Sequence, residues 1–75
     1  EAFLFYPGTD ADEVEGQHAG QEMLFVVTGC IEIIFRTQSF QLRRGDCIQF
    51  PGFLEHRMRR IGRAKAAVLL VLSNE

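Results

Sequence analysis

His18 and Glu22 stand four positions apart in GQHAGQEMLFVVTG (16–29), just ahead of an apolar run that stops at Gly29. A second histidine, His56, follows GDCIQFPGFLE (45–55). Two imidazoles and one carboxylate that leave coordination positions open are the donor set of the facial triad that holds non-haem iron and related metals. A strand end with no chemistry would carry the same residues. Spacing alone does not separate the two readings.

The elements that would position these side chains are short strands. FLFY (3–6) reads as a strand ended by the turn pair Pro7-Gly8. Residues 7–21 are polar and read as a loop. EMLFVVT (22–28), CIEIIFR (30–36), SFQL (39–42), CIQF (47–50), HRMRR (56–60) and AAVLLVLS (66–73) read as strands, with turns at 36–39, 43–46 and 61–65. Period-two alternation sends Glu22, Leu24 and Val26 to one face, and Met23, Phe25 and Val27 to the other. It also groups Ile31, Ile33 and Phe35. If His56 points inward, so do Met58 and Arg60. An inward glutamate among apolar neighbours needs a partner, a proton or a metal. Residues 23–27 and 67–72 are apolar on both faces, so both faces should be covered. Seven or eight short antiparallel strands with such turns predict an all-β sandwich or barrel.

The chain has 75 residues, so it holds one domain at most, spanning 1–75. Hydrophobic residues make up 47%, a large share for a chain that buries little of its surface alone, so burial against a partner chain is expected. No stretch has the continuous apolar length of a membrane helix, and no signal peptide pattern is visible. Cys30 and Cys47 form no CxxC pair and read as reduced, buried small hydrophobes of a cytoplasmic protein. All eight Lys and Arg residues lie beyond residue 35. The net charge is only −2, which suits solvated strand faces (Arg43, Arg44, Arg57, Arg59, Arg63) better than a nucleic acid clamp.

These residues resemble the cupin superfamily over 16–73. The family's first motif, G(x)5-H-x-H-(x)3,4-E-(x)6-G, is matched in its tail by His18, Glu22 and Gly29. The second, G(x)5-P-x-G-xx-H-(x)3-N, is matched by Gly45, Pro51 and His56. Three positions depart from the pattern: Gly16 stands for the first histidine, Phe53 for the inner glycine and Arg60 for the asparagine. The resemblance implies a small double-stranded β-helix, or jelly-roll barrel, of cupin type, expected to dimerise. It implies metal ligands at His18, Glu22 and His56, with one family ligand lost. Such a set would hold a divalent iron, manganese, nickel or zinc ion with water completing the shell. Arg60 offers another solution: its guanidinium would pair with Glu22 in place of a metal, or clamp a ligand carboxylate. The candidate ligand-binding set is therefore His18, Glu22, His56 and Arg60.

HAGQEMLFVVTGCIEI and LRRGDCIQFPGFLEHRMRR further resemble the C-terminal cupin of bacterial Xre-type helix-turn-helix regulators. That resemblance implies an effector-sensing, dimerising module for a small metabolite, with DNA reached only through a helix-turn-helix domain outside this chain. The missing initiator Met agrees with an excised C-terminal half. The rival expectation is a stand-alone metal-dependent cupin enzyme of dioxygenase or isomerase type. A binding module is the preferred expectation. Tyr6, Phe50 and Phe53 are candidates to line a cavity, against a default of core packing. The RGD at 44–46 reads as a turn, and Glu55 as a loop carboxylate facing solvent.

Overall fold

The computed structural model describes residues 1–11 and 19–73. It is all-β. Strands β1 (Ala2–Phe5), β2 (Gln21–Thr28), β3 (Cys30–Phe35), β4 (Ser39–Arg43), β5 (Cys47–Pro51), β6 (His56–Arg60) and β7 (Ala67–Leu72) follow one another in the chain. They build a four-stranded sheet in the order β1-β7-β2-β5 and a three-stranded sheet in the order β4-β3-β6. Every pairing is antiparallel. Each predicted strand is present, with ends shifted by at most one residue. No helix among the described residues is long and apolar enough to cross a membrane.

The alternation predicted for β2 holds. Leu24 and Val26 are fully buried and Glu22 is 5% exposed, while Phe25 and Val27 face out. The inward residues of both sheets meet in one core of Leu24, Val26, Ile31, Ile33, Leu42, Phe50 and Val68, flanked by Phe35, Ile48, Met58 and Leu70. Each fully buried aliphatic side chain here contributes roughly 1.5–3 kcal/mol.

Glycines shape the turns at one end of this barrel. Gly29 links β2 to β3 at φ +83°, a region that disfavours a side chain. A Cβ there would also stand 2.7 Å from Ala66 Cα and 2.8 Å from the Lys65 carbonyl oxygen. Only glycine meets both demands. The RGD segment is a turn, as expected: Gly45 takes φ +91°, and the Arg43 amide donates to Asp46 Oδ2 at 2.8 Å. This turn carries the chain from one sheet to the other, joining edge strand β4 to edge strand β5.

Cover of the outer apolar face by a partner stays open, and one expectation, that both cysteines are buried, is corrected. The apolar outer face of the four-stranded sheet is not covered within the chain. Directly opposed residues of antiparallel strands share a face, so the register aligns Leu4, Leu69, Phe25 and Cys47 in one outward row. Leu4 is 54% exposed and Phe25 37%. Strand β1 covers nothing because it extends the sheet at its edge instead of stacking on it. For the same reason Cys47 is exposed, since it sits outward on edge strand β5; Cys30 is half-buried, and both thiols are free. The arginines behave as solvated groups. On the outer face of the three-stranded sheet Arg59 Nε donates to Glu32 Oε1 at 2.7 Å. That hydrogen bond, with another from Ser39, holds the Glu32 carboxyl below its ordinary value.

Candidate functional site

Glu22 and His56 come from different sheets and meet inside the barrel. Glu22 opens the inward row of β2, and His56 opens β6 directly opposite Phe35. His56 is 2% exposed. Its Nε2 lies 3.3 Å from Glu22 Oε2. On its other side Nδ1 donates to the Leu54 carbonyl oxygen at 3.1 Å. A carbonyl can only accept, so Nδ1 carries a proton and Nε2 is the nitrogen turned toward the carboxylate. Two chemical states satisfy this geometry. An imidazolium can donate from Nε2 to an ionised Glu22. A neutral ring can instead present its Nε2 lone pair, with Oε2, to one shared cation.

The donor set fits a cation on its own terms. Two ligands of one ion at metal–ligand distances near 2.0–2.2 Å stand roughly 3.0–3.5 Å apart, and the Nε2–Oε2 separation falls in that interval. A ring nitrogen tied to a backbone carbonyl, as Nδ1 is, fixes the ligand's tautomer and orientation in metal sites. The third expected ligand, His18, lies outside the described residues, as do Gly16 and its neighbours at 12–17. Among the described residues no group of three His, Cys, Asp or Glu side chains could hold a metal.

Arg60 is not brought to this cluster. It shares the parity of His56 but sits four residues further along β6, roughly 13 Å away. It pairs there with Ile31, and its Nε donates to the Gly62 carbonyl oxygen at 3.2 Å. Glu22 therefore has an imidazole where the sequence offered a guanidinium.

Aromatic rings surround the pair. Phe50 packs edge-on against His56 with centroids 4.9 Å apart, and Phe35 packs edge-on against Phe50 at 5.0 Å. From these rings a cleft of about 750 Å³ opens outward between edge strands β4 and β5. Phe35, Phe50 and Ile48 line it inside, and Phe40, Phe53 and Leu54 line it further out, where they are exposed. A smaller cleft of about 380 Å³ reaches His56 itself and shares Phe35, Arg36 and Glu55 with the first. Phe50 and Phe53, candidates from the sequence, do line the opening. Tyr6 lies elsewhere, its ring 4.8 Å beneath the Lys65 ammonium. Phe40, Leu54 and Arg36 were not anticipated. Phe40 reads as an ordinary inward strand residue, and only the divergence of two edge strands leaves it open.

This architecture matches a known family. A cupin domain model matches residues 2–72, and the chain belongs to the cupin family. No curated protein matches the chain. Among solved structures, Fe(II) HppE in complex with its substrate is 22% identical with a TM-score of 0.84; the match covers 96% of this chain and 44% of that one. A cupin-2 domain protein from Shewanella frigidimarina NCIMB 400 is 18% identical with a TM-score of 0.78, covering 96% of this chain and 69% of that one. Protein NMB1881 from Neisseria meningitidis is 26% identical with a TM-score of 0.76, over 96% and 72% of the two chains. The chain thus spans less than half of the HppE chain.

Proposed function

We propose that this cupin domain is a binding module that takes a small molecule at the Glu22–His56 end of its barrel. The observation that carries this reading is a buried imidazole–carboxylate pair whose histidine lines a small cleft, next to a larger cleft lined with aromatic rings. Desolvating two ionisable groups is costly and seldom the best way to stabilise a core, so their retention beneath an opening points to use. His18, Glu22 and His56 would hold a divalent iron, manganese, nickel or zinc ion. When bound, such an ion would supply a Lewis-acidic anchor for an anionic ligand group, while Phe35 and Phe50 keep water from the pair. A ligand carboxylate would then be held at the ion and not at Arg60.

The wider setting in this reading is a bacterial, cytoplasmic transcription regulator of Xre type, with DNA contacted only through a helix-turn-helix domain outside this chain. The outward row of Leu4, Leu69 and Phe25 supports dimerisation through the four-stranded sheet, because exposed apolar rows of this kind mark interfaces. Effector binding would then bias the dimer's geometry. Light scattering at micromolar concentration should give a dimer that Phe25→Glu converts to monomer. A monomeric native protein would rule out this part of the reading.

A metal-dependent enzyme is the second reading. The donor separation favours it, as does the likeness to an iron-bearing HppE structure. Elemental analysis of purified protein separates the two. One equivalent of metal lost in both His18→Ala and His56→Ala, with turnover of an added substrate, supports the enzyme. Ligand binding to the metal-loaded protein without turnover supports the module.

A further inference from the structure

The β4–β5 slot carries chemistry that the Glu22–His56 pair does not need. Phe40 is 42% exposed, Phe53 67% and Leu54 37%, and all three converge on one opening. Its volume, about 750 Å³, lies within the size range of small-molecule sites. Two opposite charges stand at its rim. In the β3–β6 ladder Ile34 faces Arg57 and Phe35 faces His56. The ladder ends at that last pair, and Arg36 and Glu55 are the residues that follow and precede it in the chain. Both line the larger cleft and the smaller one beside it. Among the described residues neither has an ion-pair partner.

The geometry points to a zwitterion with a large apolar body: a free amino acid with an aromatic side chain. Its ring enters the slot between Phe40, Phe50 and Phe53. Its carboxylate meets the Arg36 guanidinium as a forked hydrogen-bonded pair. Its ammonium meets Glu55. Cation and anion one carbon apart match a rim that carries one charge of each sign. A plain carboxylic acid leaves Glu55 facing an anion, and an amine leaves Arg36 facing a cation. This inference rests on the reading that this end of the barrel takes a small molecule, but not on a metal being there.

The test is calorimetric titration of the full chain with L-phenylalanine, 3-phenylpropionate, phenethylamine and glycine. Phenylalanine should bind saturably at one per chain. The two compounds lacking one charge should each bind about threefold more weakly or worse, as for loss of one exposed charge pair. Glycine should show no saturation. Arg36→Gln should erase the preference for phenylalanine over phenethylamine, and Glu55→Gln the preference over 3-phenylpropionate. Phe53→Ala should weaken phenylalanine about fivefold through the lost ring contact. All three substitutions fall at or near the exposed rim, and amide spectra report whether the fold is kept. Equal affinity for phenylalanine and 3-phenylpropionate overturns the zwitterion. Absence of saturation by phenylalanine to about 10 mM in protein that still takes up metal overturns this inference and leaves the proposed barrel site standing. Phenylalanine binding that falls with Glu22→Gln but ignores the three rim variants does the same.

Discussion

The two ends of the barrel use the same strands and opposite chemistry. At the Gly29 end, Val26, Ile31 and Val68 are fully buried, and turns from both sheets close over them. At the other end the inward rows of β2 and β6 present Glu22 and His56, and edge strands β4 and β5 leave a slot lined with phenylalanine. Glu22 is only two residues from Leu24 on the same face. Where apolar side chains and glycine turns can seal the barrel, they do. Where they stop, polar groups and open volume take over, and function is expected at that boundary.

The largest effects should come from breaking the sealed end. Ile31→Ala should lower the unfolding free energy by about 4 kcal/mol in urea, as for other fully buried aliphatics. At the open end, Glu22→Leu should cost about 3 kcal/mol by stranding a buried imidazole. The double substitution Glu22→Leu with His56→Leu should recover most of it. If the double variant is no better than the single one, the pair acts by shape and not by charge. Next comes Gly29→Ala, at about 2 kcal/mol from backbone strain plus the clash with Ala66. Gly45→Ala has open space around its Cβ and should cost about half that, so equal losses would discount the close approach at Gly29. Phe53→Ala should fall within about 0.5 kcal/mol, because that ring is mostly in solvent.

The smallest effect belongs to Glu32, on the polar outer face. Its carboxyl is lowered by hydrogen bonds from Arg59 and Ser39. A lowered value in the folded state means the contribution is present above the ordinary glutamate value of 4.5 and fades as pH falls below it. Glu32→Gln should therefore flatten the acid limb of stability against pH and leave neutral pH nearly unchanged. A curve unaltered on the acid side would show that the pair adds nothing.

The sequence reached the strands and the inward face of β2 because alternation is a local signal. Glu22 lies in register with Leu24 and Val26, and one apolar period placed all three. Arg60 shows where that signal stops. Period two says which face a residue takes and nothing about how far along the barrel it sits, so His56 and Arg60 looked alike. The Arg36–Glu55 rim and the slot were illegible for another reason. They depend on elements that are not neighbours in sequence and on edge strands that part company. The sequence called for a partner's cover, but which face needs it was not legible, because two-sided apolar strands announce a cover without saying which side the same chain supplies.

Strand β1 pairs with β7, Ala2 facing Val71, and the Glu1 amino group donates to the Leu72 carbonyl oxygen at 2.8 Å. The first and last strands of this barrel therefore lie side by side in one sheet, with β1 at its edge. A unit with adjacent entry and exit can be spliced into a surface loop of another protein without pulling that loop apart. By the same geometry, a short bridge from residue 73 to residue 1 would allow the backbone to be reopened at the exposed Gly62–Ala64 turn, giving a circularly permuted barrel with its aromatic-lined cleft unchanged.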